Sequence, residues 1–395
     1  MRRSLSLLLV LAVLLGLAPA VMAQDSGTPA ASAGMTTIAT GLTNSRGFAW
    51  SDDGTLYVAE AGNGGETRIP VIEGFTVRNG VSSSIVSIAD GCITPVAQGL
   101  VSSMWEEPDW VWGAMDVAFL NGDLYALLSG AGPSFVTPSS RSGVYKINDD
   151  GTMTLVADIT TWLPQHLPTH IPPDYNSDGS LFDLEATSDG LVLSEAVGSQ
   201  IITVSSAGEM SVLADLSEGH PVSTGLAVGA DGSVYVGNLT AVPFPDGAAK
   251  VSKIAPDGTV TDVWTNLTRI GDLAIGPDGT LYAEEMSTGN TETEPYAQPN
   301  TGRIVRQTGP DTAEVVAEGL NFPVGLNFGP DGALYVSGPA NGADNGEGWL
   351  ARLDVGGAST SPETAVASEL CAPTAAVAGT PSVPLSGTSE ATPAP

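Results

Sequence analysis

A strand–turn–strand unit recurs along this chain, and the recurrence leaves few architectures open. The copies read GFAWSDDGTLYVAEA (47–61), DVAFLNGDLYALLS (116–129), DLEATSDGLVLSEA (183–196), GLAVGADGSVYVGNL (225–239), DLAIGPDGTLYAEEM (272–286) and GLNFGPDGALYVSG (325–338). Each copy holds two short apolar runs split by Asp-Gly or Asn-Gly. Glycine takes the positive φ that a tight hairpin requires, so each copy predicts two paired antiparallel strands. A third strand follows each pair: 83–90, 142–149, 199–206, 249–256, 302–309 and 348–355. Strand units repeating about every 40–50 residues predict an all-β propeller with one blade per repeat.

A fourth, outer strand follows only five of these units, at 93–100, 153–160, 210–217, 260–267 and 313–320. The matching sixth segment, MTTIATGL (35–42), stands at the front of the chain. The expected fold is therefore a six-bladed propeller of four-stranded blades over 35–356. An N-terminal outer strand completes the last blade, and this pairing removes the free edge.

The flanks read differently. Arg2 and Arg3 precede an apolar run from Leu5 to Leu17, and Val21-Met22-Ala23 forms a small-residue cleavage site. Residues 1–23 are thus expected to be a bacterial signal peptide, and the product to be secreted or extracytoplasmic. The apolar run is short of the ~20 residues of a membrane span, so no membrane insertion is expected after cleavage. Residues 24–34 and the Ala/Ser/Thr/Pro-rich 357–395 are expected to be disordered, because they lack large apolar side chains. A net charge of −31 argues against nucleic acid and anionic lipid as partners. The expected product is a monomer. Cys92 and Cys371 are candidates for a disulfide that ties the tail to the first blade.

The tight turns all fall at one end of an up-and-down ring, and the long connections at the other. Binding sites favour long loops on rigid scaffolds, so the long-loop face is the expected functional face. Aligned on their turns, the innermost strands begin at Gly47, Asp116, Asp183, Gly225, Asp272 and Gly325. The strands paired with them end at Glu60, Leu128, Glu195, Asn238, Glu285 and Gly338. Asp116, Asp183, Asp272, Glu60, Glu195 and Glu285 are therefore expected around one channel mouth. Like charges so placed call for a cation, and Ca²⁺ suits six or more oxygen ligands. The alternative is that these groups cap neighbouring backbone amides or face water. Glu185 occupies a position that is Ala49, Ala118, Ala227, Ala274 or Asn327 in the other repeats, which makes it a candidate catalytic or ligand group; the competing reading is a carboxylate satisfied by a neighbouring blade or by channel water. Trp105, Trp110 and Trp112 precede Asp116 and, with Asn238, are candidate ligand-binding residues. The competing reading of the Trp cluster is a packed lid.

GNLTAVPFPDGAAKVSKIAPDGTVTDVWTNLTRIGDLAIGPDGTLYAEE (237–285) resembles the ScyD/ScyE family of exported bacterial propellers. GLTNSRGFAWSDDGTLYVAEAGNGG (41–65), the segment from Asp116 to Phe119 and GLNFPVGLNFGPDGALYVSG (319–338) fit the same family. The resemblance implies a six-bladed fold related to NHL, gluconolactonase-like and strictosidine-synthase-like propellers. It implies no particular reaction. Two functions stay open on the sequence. One is a non-catalytic binding protein for a small molecule, glycan or partner protein. The other is a Ca²⁺-dependent hydrolase or lactonase of the gluconolactonase-like kind.

Overall fold

The computed structural model describes residues 34–70, 76–106, 110–341, 346–355 and 366–371. The expected signal peptide, nearly all of the 24–34 linker and most of the tail lie outside the described residues. Among the described residues no helix is long and apolar enough to cross a membrane.

The chain is an all-β propeller. Its innermost strands are Ser45–Trp50, Ala114–Leu120, Leu181–Ala186, Ser223–Val228, Ile270–Ile275 and Gly325–Phe328. Each touches the next, and the last touches the first, so they enclose a central channel. The Asp-Gly turns form as the sequence requires. Gly54, Gly232, Gly279 and Gly332 all have φ near +80°. The preceding Asp accepts the amide two residues on, as in Asp53 with Thr55 and Asp278 with Thr280. The core lies between neighbouring sheets. Leu127, Val144, Leu181, Leu193 and Ile202, for example, fill the space between the second and third.

Five sheets are four-stranded, where six such blades were expected. The sheet of the first repeat has seven strands. Its third and fourth strands run on as Thr76–Ala89 and Cys92–Trp105, into segments expected to be loops. Thr67–Pro70 and Trp110–Trp112 pair beside them. Gly62, Gly64 and Gly65 let the chain cross this extension closely; a Cβ on Gly65 would lie 2.3 Å from the Asn79 carbonyl oxygen. The ring closes through Met35–Leu42, which pairs antiparallel with Gly348–Leu353.

The described part of the tail, residues 366–371, departs from the expected disorder. Ala367 is fully buried in the cluster with Ile38, Leu42, Phe48 and Leu350. Thr40 N donates to Ala367 O and Ala367 N to Ile38 O, both at 2.9 Å. Glu369–Leu370 then adds a parallel strand to Cys92–Trp105. Cys371 is disulfide-bonded to Cys92, with Cα atoms 5.6 Å apart. Composition averaged over the tail does not mark this segment, whose buried anchor is a single Ala.

Candidate functional site

Asp116, Asp183 and Asp272, each the third residue of an innermost strand, meet at the channel axis, and each joins two neighbouring strands. Asp116 accepts the amides of Val117 (2.7 Å) and Leu184 (2.9 Å). Asp183 accepts those of Leu184 and Leu226, and Asp272 those of Leu273 (2.7 Å) and Leu326 (2.6 Å). One oxygen thus caps the residue's own strand, and the other caps the next strand round the ring. The amide-capping alternative describes these carboxylates. Burial, with repulsion from Asp183, holds Asp116 and Asp272 well above the usual carboxylate range.

The glycines at the equivalent positions make room for this arrangement. A Cβ on Gly47 would fall 1.7 Å from Asp116 Oδ1, and one on Gly225 would fall 2.3 Å from the Asp272 Cα. Gly47→Ala should therefore dislodge Asp116 from its amides and cost about 2 kcal/mol or more in chemical denaturation. An unchanged denaturation midpoint would mean that Asp116 is not seated there.

The three Glu do not join the Asp at the axis. Each instead turns back to the chain entering its own blade. Glu60 accepts from Thr43 N (2.7 Å) and Ser84 Oγ (2.6 Å). Glu195 accepts from Ser180 N (3.1 Å) and Gly198 N (2.7 Å). Glu285 accepts from Thr268 N (2.5 Å) and pairs with Arg303. Asn238 follows the same logic. Its entry residue is Pro221, which has no N–H, so the Asn238 amide donates to Pro221 O at 3.0 Å and accepts from Lys250 N. The expected convergence of six carboxylates is corrected to three. Among the described residues, no group of three or more His, Cys, Asp or Glu side chains is arranged to hold a metal ion.

Trp105, Trp110 and Trp112 form a half-buried edge-to-face cluster, which continues to Phe135 at 5.4 Å from Trp112. None of them lines the channel cavity. The arrangement is that of a packed lid.

The main cavity, ≈ 450 Å³, is the channel itself. The Asp layer floors it, and Ser51, Asp52, Gly329 and Pro330 stand at its opening. It therefore opens among the tight turns. On the long-loop side Arg46, Met115, Phe182 and Val324 crowd the mouth and leave only ≈ 10 Å³. The sequence reading missed Arg46, whose side chain is buried and donates to Val111 O at 3.0 Å. Burial lowers its guanidinium to about 10.

Glu185 projects into the channel beyond Asp183. Enclosure in the ring, then repulsion from Asp183, pushes its carboxyl up to about 8. The channel still leaves it partly accessible. Its partner is the amide of Ala186. Phe48, Trp50, Phe119 and Phe328 also line the cavity.

The fold and this channel define the class: an acidic-channel β-propeller. Residues 179–359 match the model of the SMP-30/gluconolactonase/LRE-like region. A solved structure described as a putative oxidoreductase (glucose dehydrogenase) from Thermus thermophilus is similar, at 16% identity and a TM-score of 0.53. The likeness covers 81% of this chain and 99% of that one. A gluconolactonase from Xanthomonas campestris is similar at 12% identity and a TM-score of 0.50, covering 81% and 89%. At such identities the likeness is one of fold. No curated protein sequence matches the chain.

Proposed function

We propose that this chain is an exported, ScyD/ScyE-like propeller of the gluconolactonase-like kind that binds a small molecule without transforming it. The observation that carries the reading is the channel: a cavity of ≈ 450 Å³ whose Asp floor is committed to backbone amides. Its volume lies within the range of small-ligand sites. Among the described residues that line it there is no His, Lys, Arg or Cys. The ligand enters between the tight turns rather than over the long loops. Export rests on the N-terminal charged and apolar runs, and a disulfide suits an oxidising compartment.

A second reading is a Ca²⁺-dependent hydrolase or lactonase. The family match over 179–359 favours it, as do three Asp gathered on the axis. Purified protein assayed on a lactone panel, with and without EDTA, separates the two. The binding reading expects no turnover and melting curves indifferent to EDTA and Ca²⁺. Turnover that EDTA abolishes would replace it with the hydrolase.

A further inference from the structure

Three aromatic side chains at the channel opening are held by tyrosines of adjacent sheets. Trp50 meets Tyr335 edge-on at 4.9 Å between ring centroids. Phe119 meets Tyr57 at 5.3 Å and Phe328 meets Tyr282 at 5.2 Å. Each pair bridges two sheets, so these side chains are pinned by packing rather than free to collapse into the cavity. Edge-on contact engages one ring's edge with another's face, the geometry that aromatic quadrupoles favour.

Glu185 lies on the third repeat's innermost strand, on a part of the wall formed without an aromatic residue of its own blade. Asn327 occupies the same level on the last blade. Its amide is already engaged, accepting from Phe328 N (2.8 Å) and donating to Phe48 O (3.4 Å). Asp116, Asp183 and Asp272 below have both oxygens on backbone amides. Asp52 stands at the exposed rim, so Glu185 is the carboxylate within the cavity that is not bound to a neighbouring strand.

We propose that the channel binds a small organic cation, an alkyl- or arylammonium, with its charged head at Glu185 and its apolar part against Trp50, Phe119 and Phe328. The inference rests on the binding reading above and names the ligand class for that same cavity. A carboxylate beside aromatic walls suits a diffuse, weakly hydrated charge. A bare divalent ion would instead demand several free oxygens at one point. Asp183 adds negative potential from below. No cationic side chain is among the described residues lining the cavity, and Arg46 lies beyond the Asp layer.

The test uses the mature full-length protein at about pH 9, above the Glu185 value of about 8, so that the carboxylate is ionised. Calorimetry compares benzyltrimethylammonium, its neutral isostere neopentylbenzene and phenylacetate. The cation should bind, and the other two should bind at least about tenfold more weakly. Glu185→Gln should weaken the cation by about tenfold or more, and Trp50→Leu should weaken it as well. Melting curves of both variants show whether the fold is kept. Should Glu185→Gln fail to fold, competition of the cation by Na⁺ and by tetramethylammonium on the unaltered protein decides, since only tetramethylammonium should compete. No binding of the cation, or equal binding of the neutral isostere, overturns the inference. Trp50-dependent binding of a neutral or anionic probe alone would reject the ligand class and leave the binding reading standing. Chelator-sensitive lactone turnover would instead reject the binding reading.

Discussion

Raising the pH from about 5 to about 8 should destabilise the folded propeller by several kcal/mol, the reverse of what paired surface carboxylates produce. The sign follows from groups whose folded values are raised. Burial pushes Glu195 up to about 7 and Glu185 up to about 8, and it holds Asp116, Asp272 and Glu284, a fully buried residue on the strand Leu281–Glu285, well above their usual range. In the unfolded chain the same groups ionise near pH 4. Between those values the folded state carries more protons, so stability falls as pH rises. The fully buried Glu195 alone is worth roughly 3 kcal/mol across that window. Below about pH 4 the trend reverses, because Asp53, Asp231 and Asp278 in the tight turns are held low by hydrogen bonds made to their ionised form. The melting temperature should therefore peak near pH 4–5 and decline toward pH 8. Glu195→Gln should flatten the decline, since an amide does not titrate. A melting temperature that rises steadily from about pH 5 to about pH 8 would show that these carboxyls are ionised in the folded chain.

The sequence exposed whatever the Asp-Gly turns control. Because each turn fixes the register of two strands, the level of Asp116, Asp183 and Asp272 in the channel could be counted from the turn. Side-chain direction at the strand ends could not be counted. Glu60, Glu195 and Glu285 lie at the long-loop end, as expected, but each turns toward the amide that enters its own blade. A signal for this was present. The one such strand ending in Asn rather than Glu is the one whose entry residue is proline. The open end of the channel was hidden for a related reason. Arg46, Met115, Phe182 and Val324 share no residue type, so no repeat pattern marks them as a plug. The extended first sheet was missed because Arg78, Asn79, Gly80, Val81 and Ser82 lack an apolar run, although their backbone stays close to the sheet.

Removing the disulfide should produce the other large effect, and it should be felt on the sheet next to that of Cys92, where the ring closes. Cys92 and Cys371 close a loop of 279 residues, and such a link chiefly restricts the unfolded chain. Cys92→Ser with Cys371→Ser should cost about 2–5 kcal/mol. For a propeller of this size that is a fall in melting temperature on the order of 5 °C. The tail does more than close the loop. Before reaching Cys92 it runs along the outer strand Met35–Leu42, through Ile38 and Thr40, and buries Ala367 there. It therefore bridges the outer strands of the first and last sheets, across the seam where the ring is joined by the chain's two ends. The ring without the bond should open first at that seam. Amide exchange at 38–42 should accelerate in the double variant, while exchange in the fourth repeat, at 234–238, stays unchanged. Ala367→Asp, with both cysteines kept, separates the strand from the bond. It buries a charge at the seam and should speed exchange at 38–42 even though the link is intact. Equal exchange at 38–42 in the native protein and both variants would show that the outer strand is held by Gly348–Leu353 alone and that the tail does not clasp the ring.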